Sequence, residues 1–73
     1  MSEEIFLKNI GQKLSNHRLI SGITLQELSS KTGIEIEYLS AIENGKRSLK
    51  LEEFLHITRA IGIDPAKVIE AID

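Results

Sequence analysis

Glycine and proline divide this chain into five short segments. The 73 residues contain five glycines and one proline, and Gly22, Gly33, Gly45, Gly62 and Pro65 each stand where a run of helical pattern is interrupted. Because glycine commonly ends helices and proline cannot continue them, these residues separate five helical segments. Five short helices in a chain of 73 residues fit a compact all-α bundle.

The length and composition favour a single domain, residues 1–73. The chain has no cysteine, so it can form neither a disulfide framework nor a thiolate metal site. Its acidic N-terminus lacks the pattern of a signal peptide, and no segment approaches the ~20 apolar residues of a membrane span. We expect a soluble cytoplasmic protein without cofactor, metal or membrane contact, and without room for a small-molecule effector domain.

Three segments have clear helical patterns or boundaries. The first runs from about Glu4 to Ser21, and the fourth from about Leu51 to Ile61, each with apolar residues at helical spacing. The fifth begins with Asp64 as N-cap and Pro65 at the first helical position.

The second and third segments are separated by a short turn at Gly33. Thr24 and Glu27 have the spacing of a capping box, which predicts the start of the second helix. In the third, Ile34, Tyr38 and Ile42 repeat at every fourth position and predict one apolar helical face. Two short helices joined by a glycine turn are the signature of a helix-turn-helix.

This pattern resembles the phage-repressor-like helix-turn-helix family (Cro/C1 type, XRE family). The residues that carry the resemblance are Ile10-Gly11, Leu14, Arg18, Gly22-Ile23-Thr24, Glu27-Leu28, Gly33-Ile34, Tyr38-Leu39, Ile42-Glu43-Asn44-Gly45-Lys46-Arg47, Leu51 and Ala60-Ile61-Gly62-Ile63. The resemblance implies a five-helix, lambda-repressor-like DNA-binding domain, with the helix-turn-helix at about residues 24–44. It also implies an ion pair between Arg18 and Glu43, and a homodimeric transcriptional regulator, a repressor or autoregulator, on double-stranded DNA.

The face of the third helix opposite its apolar face would enter the major groove. The candidates for reading bases there are Ile36, Glu37, Ser40 and Ala41. The candidates for binding phosphates are Gln26, Asn44, Lys46 and Arg47, together with the backbone amides around Gly45. The net charge of −2 does not oppose this hypothesis, because the basic residues are segregated from the acidic ones.

Two glutamates stand at the start of the third helix. A carboxylate at a helix N-terminus is favourable by roughly 0.3–1 kcal/mol, which gives Glu35 a structural role as N-cap. Glu37 could accept a hydrogen bond from the N4 amino group of a cytosine. It could equally belong to a protein-interaction face, and the sequence leaves both open.

The dimer surface is expected in the C-terminal part of the chain. The fifth helix carries more apolar residues than a short terminal helix needs to close a core, although they could serve only that purpose. The candidates are Ile63, Val68, Ile69 and Ile72.

Two other function classes have less support in the sequence. The chain contains two histidines, His17 and His56, which are far apart in sequence and belong to no ligand or acid–base motif. There is also no glycine-rich phosphate loop, so no enzyme activity is expected. The alternative to DNA binding is a protein-interaction module on the same fold, like the cytoplasmic helix-turn-helix domains of bacterial cell-shape proteins.

Overall fold

The computed structural model describes residues 2–70, and the regular structure in this range is entirely helical. The order of elements is α1 (Glu3–Ile20), α2 (Leu25–Thr32), α3 (Ile36–Glu43), α4 (Leu51–Ile61) and α5 (Pro65–Glu70). This confirms the prediction of an all-α fold with five short helices.

The predicted helix starts have the expected hydrogen bonds. The backbone amide of Glu27 donates to the Thr24 hydroxyl at 3.0 Å, and the Thr24 amide donates to the Glu27 carboxylate at 3.2 Å, which completes the capping box of α2. At α5 the amide of Ala66 donates to the Asp64 carboxylate at 2.9 Å. These local bonds satisfy amides that helix starts leave without partners.

The third helix starts directly after its predicted N-cap, Glu35, at Ile36. Ile34 therefore lies before the helix, although its spacing predicts that it belongs to the apolar helical face. The Ser29 hydroxyl donates to the Ile34 carbonyl at 2.6 Å, and the Ile34 amide donates to the Thr32 hydroxyl at 3.2 Å. These bonds hold Ile34 in the turn, where its side chain is half-buried against the core. Within α3 itself, the fully buried residues are Leu39 and Ile42.

The core lies between all five helices. Its buried apolar residues are Ile10, Leu14, Leu28, Leu39, Ile42, Phe54, Ile57, Ile61 and Val68. The short helix α2 packs against α4, and α3 packs against α1. Each helix of the helix-turn-helix therefore has a supporting helix on its core-facing side. None of the helices within residues 2–70 is long and apolar enough to cross a membrane.

The structure corrects one of the four dimer candidates. Val68 has 0% of its surface exposed and is a core residue that anchors α5, so it is not accessible to a second subunit. Ile63 is half-buried against the same core. Ile69 has 51% of its surface exposed, and Ile72 lies outside the described residues.

Glycines bring the backbones of α1 and of the C-terminal end of α3 into direct contact. A Cβ atom at Gly11 of α1 would overlap the carbonyl oxygen of Ile42 and lie 2.9 Å from that of Glu43. Gly45, which follows α3, has a φ of +69° and lies against α1, where a Cβ would come within 2.5 Å of the Lys8 Cα atom. Both contacts require glycine, and both fix α3 against α1.

Candidate nucleic-acid interface

One side of α3 is open to solvent. The core-facing residues Leu39 and Ile42 lie on the opposite side of the helix from Glu37. Ile36 and Glu37 are exposed, whereas Ser40 and Ala41 are half-buried. The four base-reading candidates therefore share one surface, which we call the recognition face.

The two glutamates at the start of α3 differ in position. Glu35 is the N-cap residue, as expected, but its side chain makes no capping hydrogen bond. It can therefore stabilise the helix only through its charge. Glu37 lies within the first turn, on the recognition face, and is exposed.

At the end of α3, several of the groups considered for phosphate binding already donate hydrogen bonds within the protein. The Gly45 amide donates to the Ile42 carbonyl at 3.0 Å, and the Lys46 amide donates to the Ala41 carbonyl at 2.9 Å. The side-chain amide of Asn44 donates to the Ser40 carbonyl at 2.8 Å. The backbone amides of Gly45 and Lys46 are therefore not free to bind a phosphate, contrary to expectation, and Asn44 already uses a donor.

The segment after α3, residues 44–50, forms a basic loop. Lys46 and Arg47 are exposed, and with Lys8 of α1 they line an open depression to which none of the described carboxylates contributes. The Cζ atom of Arg47 lies 3.9 Å from the centroid of the Tyr38 ring, over its face. The loop therefore presents positive charge beside the recognition face, with one arginine held against α3.

Gln26 lies on the other side of the turn. It is exposed in the first turn of α2, next to the capping box formed by Thr24 and Glu27. Its side-chain amide is accessible to a ligand at this end of the helix, where backbone amides point outward.

A buried ion pair holds α3 in place. The Arg18 guanidinium donates through Nε to the Glu43 carboxylate at 2.8 Å and through Nη2 at 3.0 Å. Its Nη1 donates to the Ile23 carbonyl at 2.8 Å. Arg18 thus joins α1 to the end of α3 and to the turn before α2, in the pairing that the resemblance implied.

Hydrogen bonding to Glu43 raises the pKa of Arg18, and this effect outweighs the opposing effect of burial. Because the folded pKa is raised, the guanidinium's contribution to stability is fully present below the unfolded value. It is lost only as the pH rises through the folded value. Arg18 therefore adds no pH dependence to stability near neutral pH.

Comparison with known proteins agrees with this geometry. A family model described as a helix-turn-helix domain matches residues 11–73. The chain belongs to this helix-turn-helix family. Membership makes it an XRE-type transcriptional regulator and not an enzyme, as predicted.

Individual relatives of the helix-turn-helix protein cover most of its length. An uncharacterized HTH-type transcriptional regulator, y4dJ, of Sinorhizobium fredii is 24% identical over 66 residues, which are 90% of this chain and 86% of that protein. The crystal structure of the clp gene regulator ClgR from C. glutamicum is 28% identical and has a TM-score of 0.83, covering 86% of this chain and 82% of its own. The restriction-modification controller protein C.AhdI from Aeromonas hydrophila is 26% identical with a TM-score of 0.83, covering 88% and 97%.

The sequence does not predict the contact between Arg47 and Tyr38. The sequence pattern places Tyr38 on the apolar face of the third helix. It places Arg47 in the following loop, where it is expected only to bind a phosphate. Their separation of nine positions, across a helix end, corresponds to no regular helical spacing. The sequence feature that could have indicated the contact is an arginine that follows an aromatic helical residue and the glycine that ends the helix.

Proposed function

We propose that this protein is a DNA-binding transcriptional regulator that acts in the cytoplasm, on the nucleoid, as a homodimer. In each subunit α3 enters the major groove, with Ile36 and Glu37 foremost and Ser40 and Ala41 behind them. Gln26, Lys46 and Arg47 bind phosphates on either side, and Asn44 contributes its remaining polar atoms.

The observation that carries this proposal is the pairing of an exposed helix face with a basic loop directly after it. On the recognition face Glu37 is polar and exposed, and the loop's cations lie in a depression that none of the described carboxylates lines. Phosphate contacts supply affinity and register, whereas base contacts supply specificity. The two functions fall here on adjacent segments of the chain.

Replacing both Lys46 and Arg47 by alanine should weaken binding to all duplex sequences alike. Each DNA phosphate that the protein no longer neutralises should reduce the slope of log affinity against log salt by ~0.9, so the double variant should have a slope shallower by about two. The measurement is a fluorescence anisotropy titration of labelled duplex DNA at several salt concentrations.

A matched control is the double replacement of Arg59 and Lys67 by alanine. These exposed cations lie on α4 and α5, line neither the depression at the basic loop nor the one beside Gln26, and their removal changes the net charge equally. The control should retain most of the wild-type slope. If the unmodified protein has no salt-sensitive duplex binding even at low ionic strength, the alternative of a protein-interaction module is favoured.

Replacing Glu37 by alanine should change sequence preference at one base pair. A carboxylate that accepts from a cytosine discriminates against other bases by about 1–3 kcal/mol, and it also repels phosphates wherever no donor faces it. Selection from a random duplex library should give a motif with a relaxed position for the variant. Glu35→Ala, which removes the same charge at the N-cap, should leave the motif unchanged. Uniformly tighter binding by Glu37→Ala would mean that Glu37 reads no base.

Dimerisation is assigned to an apolar face that α5 shares with α1 and α4. Phe6, Leu51 and Ile69 are exposed there and surround a small groove that reaches the core. Exposed apolar side chains on adjacent elements favour association. Two domains docked on half-sites about one helical turn apart, ~34 Å, would bind far more tightly than one.

The replacement Ile69→Glu should shift the protein towards monomer and weaken binding to a two-half-site duplex more than to a single half-site. Ile20→Glu is the control, because Ile20 is also exposed but lies at the far end of α1. Sedimentation velocity at micromolar concentration measures the first effect and anisotropy the second. A wild-type protein that sediments as a strict monomer would contradict the assignment.

A further inference from the structure

The ring of Tyr38 offers a fixed platform for one cation of the basic loop. Tyr38 is half-buried and packs against the core from α3, so the position of its ring follows the helix. Arg47 is exposed and belongs to a segment without regular structure, yet its Cζ lies 3.9 Å from the ring centroid. Among the side chains that the structure describes, no carboxylate lies within ion-pairing distance of Arg47.

A guanidinium is suited to this arrangement in a way that an ammonium is not. Its charge is delocalised over a plane that can lie on an aromatic face, while its five N–H donors project from the edges of the plane. Stacking therefore restricts the side chain without consuming its donors. Lys46, its neighbour in the chain, has the same charge but no aromatic partner among the described residues.

We propose that Tyr38 is a positioning residue that holds the Arg47 guanidinium against α3, so that its donors meet a DNA phosphate at the edge of the groove that α3 enters. This inference rests on the proposed function. It assigns to Tyr38 a role in affinity that requires no contact of its own with DNA. The loop then binds phosphate with one arginine ordered in advance and one lysine that lacks such a support.

The alternative is that the stack only stabilises the fold. In that case changes at Tyr38 would alter the free energy of unfolding and leave the affinity of the folded protein unchanged. A contribution through Arg47 makes a different prediction, because the effect of changing Tyr38 must then depend on whether Arg47 is present.

A double-mutant cycle tests this dependence. Tyr38→Leu keeps an apolar side chain against the core and removes the ring, and it should weaken duplex binding about two- to fivefold. The same change should have no effect in an Arg47→Ala background. It should keep its full effect in a Lys46→Ala background, which is the matched control. Tyr38→Phe retains the ring and should bind as the unmodified protein does.

The titrations are made with each full-length variant at a temperature where thermal unfolding shows it to be folded. An upfield NMR shift of the Arg47 Hδ protons, absent in Tyr38→Leu, reports the stack in the free protein. Equal effects of Tyr38→Leu with and without Arg47, or weak binding by Tyr38→Phe, would overturn the inference. Failure of the unmodified protein to bind any duplex would instead overturn the proposed function, and the inference with it.

Discussion

Replacing Glu43 by alanine is expected to destabilise the fold by about 3 kcal/mol, because it leaves the Arg18 guanidinium buried without its counter-charge. Each side chain of this pair is only 10% exposed, so the guanidinium left behind is poorly placed to be solvated by water. Since small domains have ~5–15 kcal/mol of stability in total, the loss should be evident as a large fall in the urea midpoint.

The matched control removes both charges together. The double variant Arg18→Met/Glu43→Leu keeps apolar volume on each side of the contact between α1 and α3, and buried ion pairs can be replaced in this way with little loss. It should be more stable than Glu43→Ala, measured by the same urea titration. If Glu43→Ala costs less than about 1 kcal/mol, the pair behaves like an exposed salt bridge and does not hold α3 in place.

The second large effect is expected at Gly45. Alanine there must adopt a left-handed backbone conformation, at about 1–2 kcal/mol, and its Cβ would also overlap the backbone of Lys8. Overpacking of this kind adds about 1–3 kcal/mol, which gives about 2–5 kcal/mol in all. Thermal and urea unfolding of Gly45→Ala measure the loss.

The replacement Gly33→Ala allows the cost of the left-handed backbone to be measured apart from the cost of overpacking. The φ of Gly33, +74°, is close to the +69° of Gly45, but a Cβ at Gly33 would have no atom within 4 Å. Gly33→Ala should therefore incur only the conformational cost, about 1–2 kcal/mol. Equal losses of stability in Gly33→Ala and Gly45→Ala would mean that the loop moves away from α1 without cost. Gly45 would then not fix the loop against α1.

Local chemistry makes most of the fold predictable. A capping box, an aspartate before a proline and a glycine after each of the first four segments act through neighbouring backbone groups, so the sequence displays them directly. Helical spacing alone wrongly assigns Ile34 to the face of α3, because the side chains of Ser29 and Thr32 hold its backbone in the turn before the N-cap Glu35.

The site is less accessible from the sequence, for a different reason. Helix periodicity identifies which side of α3 faces away from the core, but it does not say which apolar residues on α5 complete that core. Val68 is buried and Ile69 exposed because α5 packs on α1 and α4, a tertiary fact without a local signal. The Tyr38–Arg47 stack likewise depends on how the chain folds back after Gly45.

The attachments of α3 to α1 have a mechanical consequence. The Gly11 contact, the bidentate pair at Glu43 and the packing of Gly45 on Lys8 all act on the same end of the helix. A helix clamped in this way cannot tilt or slide by itself to follow an imperfect groove. In the proposed dimer, accommodation to a mismatched operator would then come from bending of the DNA or from a change in the angle between subunits. The spacing and flexibility of the half-sites would become part of what the protein selects.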